Sequence, residues 1–242
     1  MSGTDAAVPR CRRGVGDPQA GEADRIVVLC TKRHGKVRAV AHGVRKTGSR
    51  FGSRLEPASH VVVQLYEGRN LDTVNQAELV ESSAPIRGDL DRLGRAAAML
   101  EVVDHIGQEG HYNPRLYEML VGGLRAVAHH DSPLVTASFL LRLLDAEGVG
   151  LRVDRCVECG ATDSLVSVDL GSGGLRCAEH RQGAAIGDQA VRILQLILGG
   201  RIAAALTLPV GAATFEVDNL ATAAMERHLD RRLRSLHLLD RG

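Results

Sequence analysis

The sequence predicts an α+β protein of more than one domain: a small β-barrel, then a helical domain with a cysteine-bearing insert. Three observations carry this. Over residues 21–82 the apolar residues come in short runs bounded by turn formers, the pattern of strands. After Pro85 the apolar period lengthens to that of helices. Over residues 151–182 two short cysteine knuckles interrupt the helical pattern.

The strand region reads in order. Arg25-Ile-Val-Val-Leu-Cys30 and Lys36-Val-Arg-Ala-Val-Ala41 are compact apolar runs separated by Arg33-His-Gly35, a tight turn. Residues 43–57 are polar, carry Gly and Ser and lack periodicity, so they read as a long loop. His60-Val-Val-Val-Gln-Leu-Tyr66 and Leu71-Asp-Thr-Val-Asn-Gln-Ala-Glu-Leu79 are joined by Glu67-Gly-Arg-Asn70, which has hairpin-turn chemistry. Four or five such strands make a small barrel. Residues 1–20 are rich in Gly, Pro and Arg, with Pro9 and Pro18, and read as an atypical, disordered segment without a strand.

The helical region covers residues 83–242. Leu90, Leu93, Ala97, Leu100, Val103 and Ile106 fall on one face of a first long helix. Asn113-Pro114 opens a second, with an N-cap and a proline at its first position, and Leu116, Leu120, Leu124 and Val127 form its stripe. Asp131-Ser-Pro133 repeats the start signal. Phe139, Leu140, Leu143 and Leu144 continue the core until Gly148 stops the helix. Helical periodicity returns over 191–198 and 220–239, and no internal repeat is visible.

Composition narrows the function. In 242 residues, 30 Lys and Arg balance 29 Asp and Glu to a net charge of +1. That excludes a globally basic nucleic-acid coat and a strongly acidic disordered chain. Aromatic residues make up only 2%, so extensive base stacking has few platforms. Apolar runs stop far short of the roughly 18 residues that span a bilayer, and residues 1–20 lack the apolar stretch of a secretory signal. A cytoplasmic, nucleoid-associated protein is expected. There is no G-x-x-x-x-G-K-[ST] loop and no G-x-S-x-G elbow, and His129-His130 read as solvated charges at a helix end. With no nucleophile or catalytic dyad, no enzyme activity is expected.

The five cysteines are too odd a number for a closed disulfide framework. Cys156-Val-Glu-Cys159 and Cys177-Ala-Glu-His180 instead match a zinc template of two knuckles. Ligands three residues apart let one turn present two donors to a tetrahedral ion, and Gly160 lets the first turn close. One zinc per chain with four protein ligands (Cys156, Cys159, Cys177, His180) leaves no position for substrate water, so the site is structural. Arg155, Arg176 and Arg181 stand beside it to offset its charge. Cys30 reads as a core residue.

Positive charge is concentrated in one segment. From Arg25 to Leu55 there are nine Lys and Arg and no acid. Lys32, Arg33, Lys36, Arg38, Arg45, Lys46, Arg50 and Arg54 are candidate phosphate contacts, with Phe51 as a platform for one base. A solvated charged face is the bland alternative; the absence of interleaved acids favours nucleic acid.

These residues also resemble a family. Gly21-Glu-Ala-Asp-Arg-Ile26, Thr31-Lys-Arg-His-Gly-Lys-Val-Arg-Ala-Val-Ala-His-Gly-Val44, Arg54-Leu-Glu-Pro57 and Leu65-Tyr-Glu-Gly-Arg69 resemble the N-terminal domain of the bacterial DNA-repair family RecO, its actinobacterial members above all. The helical tail and the Cys156/Cys159/Cys177/His180 insert extend the likeness over residues 21–239. The resemblance implies an OB-fold barrel, a helical domain with a zinc finger, and a non-enzymatic recombination mediator. It further implies binding of single- and double-stranded DNA, annealing of complementary strands, contacts with RecR and single-strand-binding protein, and help in loading RecA. A pocket for the acidic tail of single-strand-binding protein is expected on the helices bearing Arg115, Arg125 and Arg142. Family members open with a Val- and Leu-rich strand that residues 1–20 do not resemble. The expectation is a lost first strand with an open barrel edge, or a miscalled start of the reading frame. The rival reading is a zinc-stabilised regulatory module that binds RNA or an acidic peptide without annealing.

Overall fold

A computed structural model describes residues 3–11, 24–44, 49, 51–52 and 54–237. Five strands form a closed barrel: β1 (Gly3–Cys11), β2 (Arg25–Thr31), β3 (Gly35–Ala41), β4 (His60–Tyr66) and β5 (Asp72–Glu81). Their order is β1-β2-β3-β5-β4, with β4 returning to β1. All neighbours are antiparallel except β3 and β5, which pair parallel at Ala39–Asp72 and Val40–Thr73. This is the topology of an OB-fold. Val27, Leu29, Val61, Val63 and Val74 fill its interior.

The first strand is present at residues 3–11, which corrects the expectation of an atypical segment without a strand there; residues 1–2 and 12–20 lie outside the described residues. Thr-Asp-Ala-Ala-Val-Pro has little β propensity by itself, and β1 becomes a strand because it has neighbours on both sides. Ala7 pairs with Thr31 of β2 and with Val61 of β4. Pro9, which argued against a strand, sits opposite Leu29 past the end of the β4 pairing. Its carbonyl accepts from Ala58 N–H at 3.2 Å. In a strand the amide and carbonyl of one residue point the same way, so the missing N–H of Pro9 faces away from β2 and costs no ladder bond.

The β2–β3 hairpin turns through Lys32, Arg33 and His34. Gly35 closes it at φ +66, and a Cβ there would lie 1.9 Å from the carbonyl oxygen of His111. Only glycine fits. The long loop before β4 departs from its polar reading. Phe51 is 1% exposed and packs with Leu55 inside the barrel. It is therefore not a base-stacking platform. A barrel this small needs its interior filled, and the apolar pair at i and i+4 was the available signal.

Helices follow at α1 (Ala84–Arg87), α2 (Leu90–Ile106), α3 (Pro114–His129) and α4 (Leu134–Ala146). Asp89 caps α2 by accepting from Arg92 N–H at 2.9 Å, and Asn113 caps α3 through Leu116 N–H at 3.0 Å. The stripe of α3 is buried as expected. That of α2 is displaced: Leu90 is 70% exposed and Leu93 also faces solvent. Burial instead covers almost every residue from Ala96 to Asp104, including Glu101 and Asp104. Period analysis failed here because two buried positions are acids whose partners come from distant parts of the chain.

The insert forms β6 (Leu165–Asp169), β7 (Gly174–Cys177) and β8 (Ala184–Ala185), a small sheet ordered β7-β6-β8. The chain ends in α5 (Asp188–Leu198), α6 (Ile202–Leu206), α7 (Ala212–Leu229) and α8 (Arg234–His237). Strand gives way to helix where the sequence places the change, but the first compact unit runs on to Ala128 and regains the chain from Arg234. The second unit is His129–Leu233, in which α4 packs against α5, α6 and α7. Among the described residues no helix is long and apolar enough to cross a membrane.

Replacing Phe51 by Ala is expected to cost the barrel about 3–5 kcal/mol, the range for emptying an aromatic site in a core. A denaturant melt followed by an optical probe of the barrel checks this. An exposed stacking residue would leave the midpoint unchanged.

Candidate nucleic-acid face and metal centre

The segment that lacks acids in sequence does not lack them in space. Arg33 donates to Asp5 through its backbone N–H at 2.9 Å and its Nε at 3.3 Å. Lys36 reaches the carbonyl of Asp104 at 2.7 Å and its carboxylate at 3.3 Å, with a side chain only 20% exposed. Arg38 lies 4.0 Å from Glu109, and Arg25 3.4 Å from Glu56. Lys32 and Arg54 are exposed. Arg45, Lys46 and Arg50 lie outside the described residues. The structure thus brings Lys32, Arg33 and Arg38 together at one hairpin, removes Phe51 to the core and turns Lys36 inward.

Lys36 belongs to a buried cluster that sequence reasoning missed. The Asp104 carboxylate, 2% exposed, also receives Arg10 Nη1 of β1 at 2.9 Å. Two strands of the barrel are tied to α2 through one acid. Lys36 additionally supplies a donor to one of the last carbonyls of that helix, which have no partner within it. Nearby, Glu101 accepts from the backbone N–H groups of Arg234 and Ser235 at 3.2 and 2.9 Å, and from the Ser235 hydroxyl at 2.6 Å. Burial pushes the Glu101 carboxyl up, but these three donors outweigh it and hold it below the usual range. His60 of β4 and Tyr117 of α3 share a 2.7 Å hydrogen bond. Burial lowers the His60 pKa and raises that of Tyr117 to about 12, so the phenol donates to a neutral imidazole.

The arginines expected around a partner pocket divide between the two compact units. Arg115 and Arg125 lie in the first unit and Arg142 in the second. Arg115 and Arg142 are exposed. The guanidinium of Arg125 grips the Glu81 carboxylate with Nε at 2.8 and 2.9 Å and Nη2 at 2.6 Å. That bidentate pair takes up the Nε/Nη2 edge of the guanidinium.

The cysteine knuckles converge as their spacing predicts. The Sγ atoms of Cys156, Cys159 and Cys177 and a ring nitrogen of His180 all lie within 4.8 Å of one another. Cys159 Sγ is 3.8 Å from Cys177 Sγ, which is 3.3 Å from His180 Nδ1. The first knuckle closes through Gly160, at φ +78, whose N–H donates to the Cys156 carbonyl at 3.0 Å. Cys177 ends β7, and His180 N–H turns back to its carbonyl at 3.2 Å. Backbone N–H groups, that of Cys159 foremost, pull the Cys156 thiol down to about 6. At Cys159 the Ala161 N–H acts the same way, but burial and the sulfurs of Cys156 and Cys177 outweigh it and raise the thiol. This cluster could hold a metal ion. Arg176 does not lean on the sulfurs: it pairs with Glu158 at 3.1 Å and Asp169 at 3.3 Å, while Arg155 pairs with Asp154. Cys30 is half-buried, with a thiol pushed up to about 12 by burial.

A five-stranded barrel with a basic hairpin, followed by helices carrying an insert that could hold a metal ion, defines a class of protein with an OB-fold and a knuckle of three cysteines and one histidine. Family models sharpen this. Residues 18–83 match the Recombination protein O N-terminal domain, and residues 87–237 match its C-terminal domain. The chain belongs to the Recombination protein O family. It is 42% identical over 227 residues to DNA repair protein RecO of Frankia casuarinae, covering 91% of this chain and 93% of that one. It is 39% identical over 231 residues to DNA repair protein RecO of a Nocardioides species, covering 91% and 94%.

Substituting Lys36 by Ala is expected to lower stability by about 1–3 kcal/mol, because Asp104 is left buried with one fewer donor. Its effect on the salt dependence of DNA binding should be nil. Parallel thermal melts and binding titrations separate the two effects; lost binding with unchanged stability would place Lys36 at the DNA instead.

Proposed function

We propose that this protein is a recombination mediator that binds single- and double-stranded DNA, anneals complementary strands and helps RecA load on gaps coated by single-strand-binding protein. Membership of the Recombination protein O family over both halves of the chain carries the reading. The charge distribution supports it: the first unit has more bases than acids and the second more acids than bases. Phosphate binding by Lys32, Arg33, Arg38, Arg45, Lys46, Arg50 and Arg54 therefore falls to the barrel unit. RecR and single-strand-binding protein are the protein partners, with exposed Arg115 and Arg142 as candidate contacts for an acidic tail. The protein works without catalysis, in the cytoplasm at the nucleoid.

The metal is zinc, one per chain. A tetrahedral ion with Zn–S bonds of about 2.3 Å sets its sulfurs about 3.8 Å apart, and Cys159 and Cys177 stand at 3.8 Å. Three thiolates with one imidazole are a soft donor set suited to zinc. Bound there, zinc crosslinks the turn before β6 to the end of β7 and supplies folding energy rather than reactivity.

Annealing of complementary strands coated with the cognate single-strand-binding protein is the decisive assay. Annealing is expected with this chain and its absence sinks the mediator reading in favour of a regulatory module. Replacing Lys46, Arg50 and Arg54 together by Ala should flatten the log–log salt slope of binding by roughly 2 units, since each lost contact to single strands is worth about 0.7. Elemental analysis should find one zinc per chain. Chelation should loosen residues 151–182, read by hydrogen exchange, while the barrel stays protected.

A further inference from the structure

The tip of the β2–β3 hairpin is an exposed basic feature of the barrel, yet it is built around an acid. Asp5 of β1 has a side chain 3% exposed. Its Oδ2 accepts from Arg33 N–H at 2.9 Å and contacts His34 Nδ1 at 2.8 Å, and its Oδ1 accepts from Arg33 Nε at 3.3 Å. Further bonds fix the same three residues. Lys32 N–H donates to the Ala6 carbonyl at 2.9 Å, His34 N–H to Thr31 Oγ1 at 3.0 Å, and Arg33 Nη2 to the Thr4 carbonyl. The Arg33 side chain nonetheless remains 63% exposed. Beside it, a groove lined by Val37, Arg38, Leu65 and Asn70, and also by the acids Glu67, Asp72 and Glu109, runs toward the β4–β5 turn.

Two effects oppose each other here. A carboxylate near a phosphate path repels the phosphate. A carboxylate that holds an arginine also removes the entropy that arginine would lose on binding, part of the roughly 2 kcal/mol its free rotamers carry. Buried Asp5 engages the Nε edge of the guanidinium and the backbone of the turn, and its charge is already met by Arg33. Preordering therefore outweighs repulsion. We infer that Asp5 is a positioning residue for nucleic-acid binding, which sets Arg33 and the Lys32–His34 turn in the conformation that meets a phosphate. This rests on the reading of the barrel as the DNA-binding face.

The sign of one measurement decides it. Binding of a fluorescent oligothymidylate to the full chain is titrated against salt for wild type, Asp5→Asn, Arg33→Ala and the double variant. Removing a negative charge should strengthen binding by simple electrostatics; positioning predicts that Asp5→Asn weakens it about fivefold. With Arg33 already Ala, adding Asp5→Asn should cost clearly less than it does in the wild type, because only the turn backbone and His34 are then left to position. Equal or tighter binding by Asp5→Asn overturns the inference, as does an equal loss in the Arg33→Ala background, which a merely structural role would give. If Arg33→Ala itself binds as wild type does, the reading of this hairpin as a DNA contact has failed, and the inference falls with it. Should Asp5→Asn not fold, Arg33→Lys replaces it. That variant keeps the charge but loses the Nε bond, and is expected to bind several-fold more weakly, with wild-type affinity as the contrary result.

Discussion

Two carboxylates on α2 organise the first unit. Asp104 collects Arg10 from β1 and Lys36 from β3, while Glu101 collects the backbone at the start of α8. Neither acid would stay buried alone, since an ionised carboxylate away from water is costly unless charges and donors meet it. Each therefore dictates what must lie next to it. The barrel has to present β1 and β3 to the helix, and the chain has to return after the second unit for α8 to dock. Gly35 follows from the same constraint, because the hairpin next to Lys36 approaches the residues after α2 too closely for any side chain.

This arrangement changes the meaning of the basic segment. Nine cations without an intervening acid look like one surface for phosphate. Folded, those among the described residues sort into kinds. Lys36 holds the barrel to a helix, Arg25 and Arg38 approach acids from other segments, and the hairpin tip stays outside with Arg33 braced from behind. Among the described residues, the outward-facing part of this segment is therefore narrower than the count of cations suggests, and its tip is braced.

The cysteine knuckle behaves in the opposite way: it is local. Its four side chains sit in two turns of one small hairpin-bearing insert, and Arg155 and Arg176 beside it are engaged by neighbouring acids of the same insert. Its geometry owes little to the rest of the second unit, where α4 is enclosed on nearly every side.

What the sequence by itself determined follows from short-range physics. Strand runs, the hairpin turns, the cap at Asn113, the stripe of α3 and the convergence of Cys156, Cys159, Cys177 and His180 all depend on residues a few positions apart, or on knuckles of fixed spacing. Tertiary structure decided the rest. Residues 3–11 became a strand because β2 and β4 supply its hydrogen bonds, and Phe51 went inward because the barrel had space to fill. The buried face of α2 turned away from Leu90 and Leu93 toward acids whose donors lie 68 to 134 positions away along the chain. Pattern reasoning scores an acid as solvated, and only a fold that delivers its partners can reverse that.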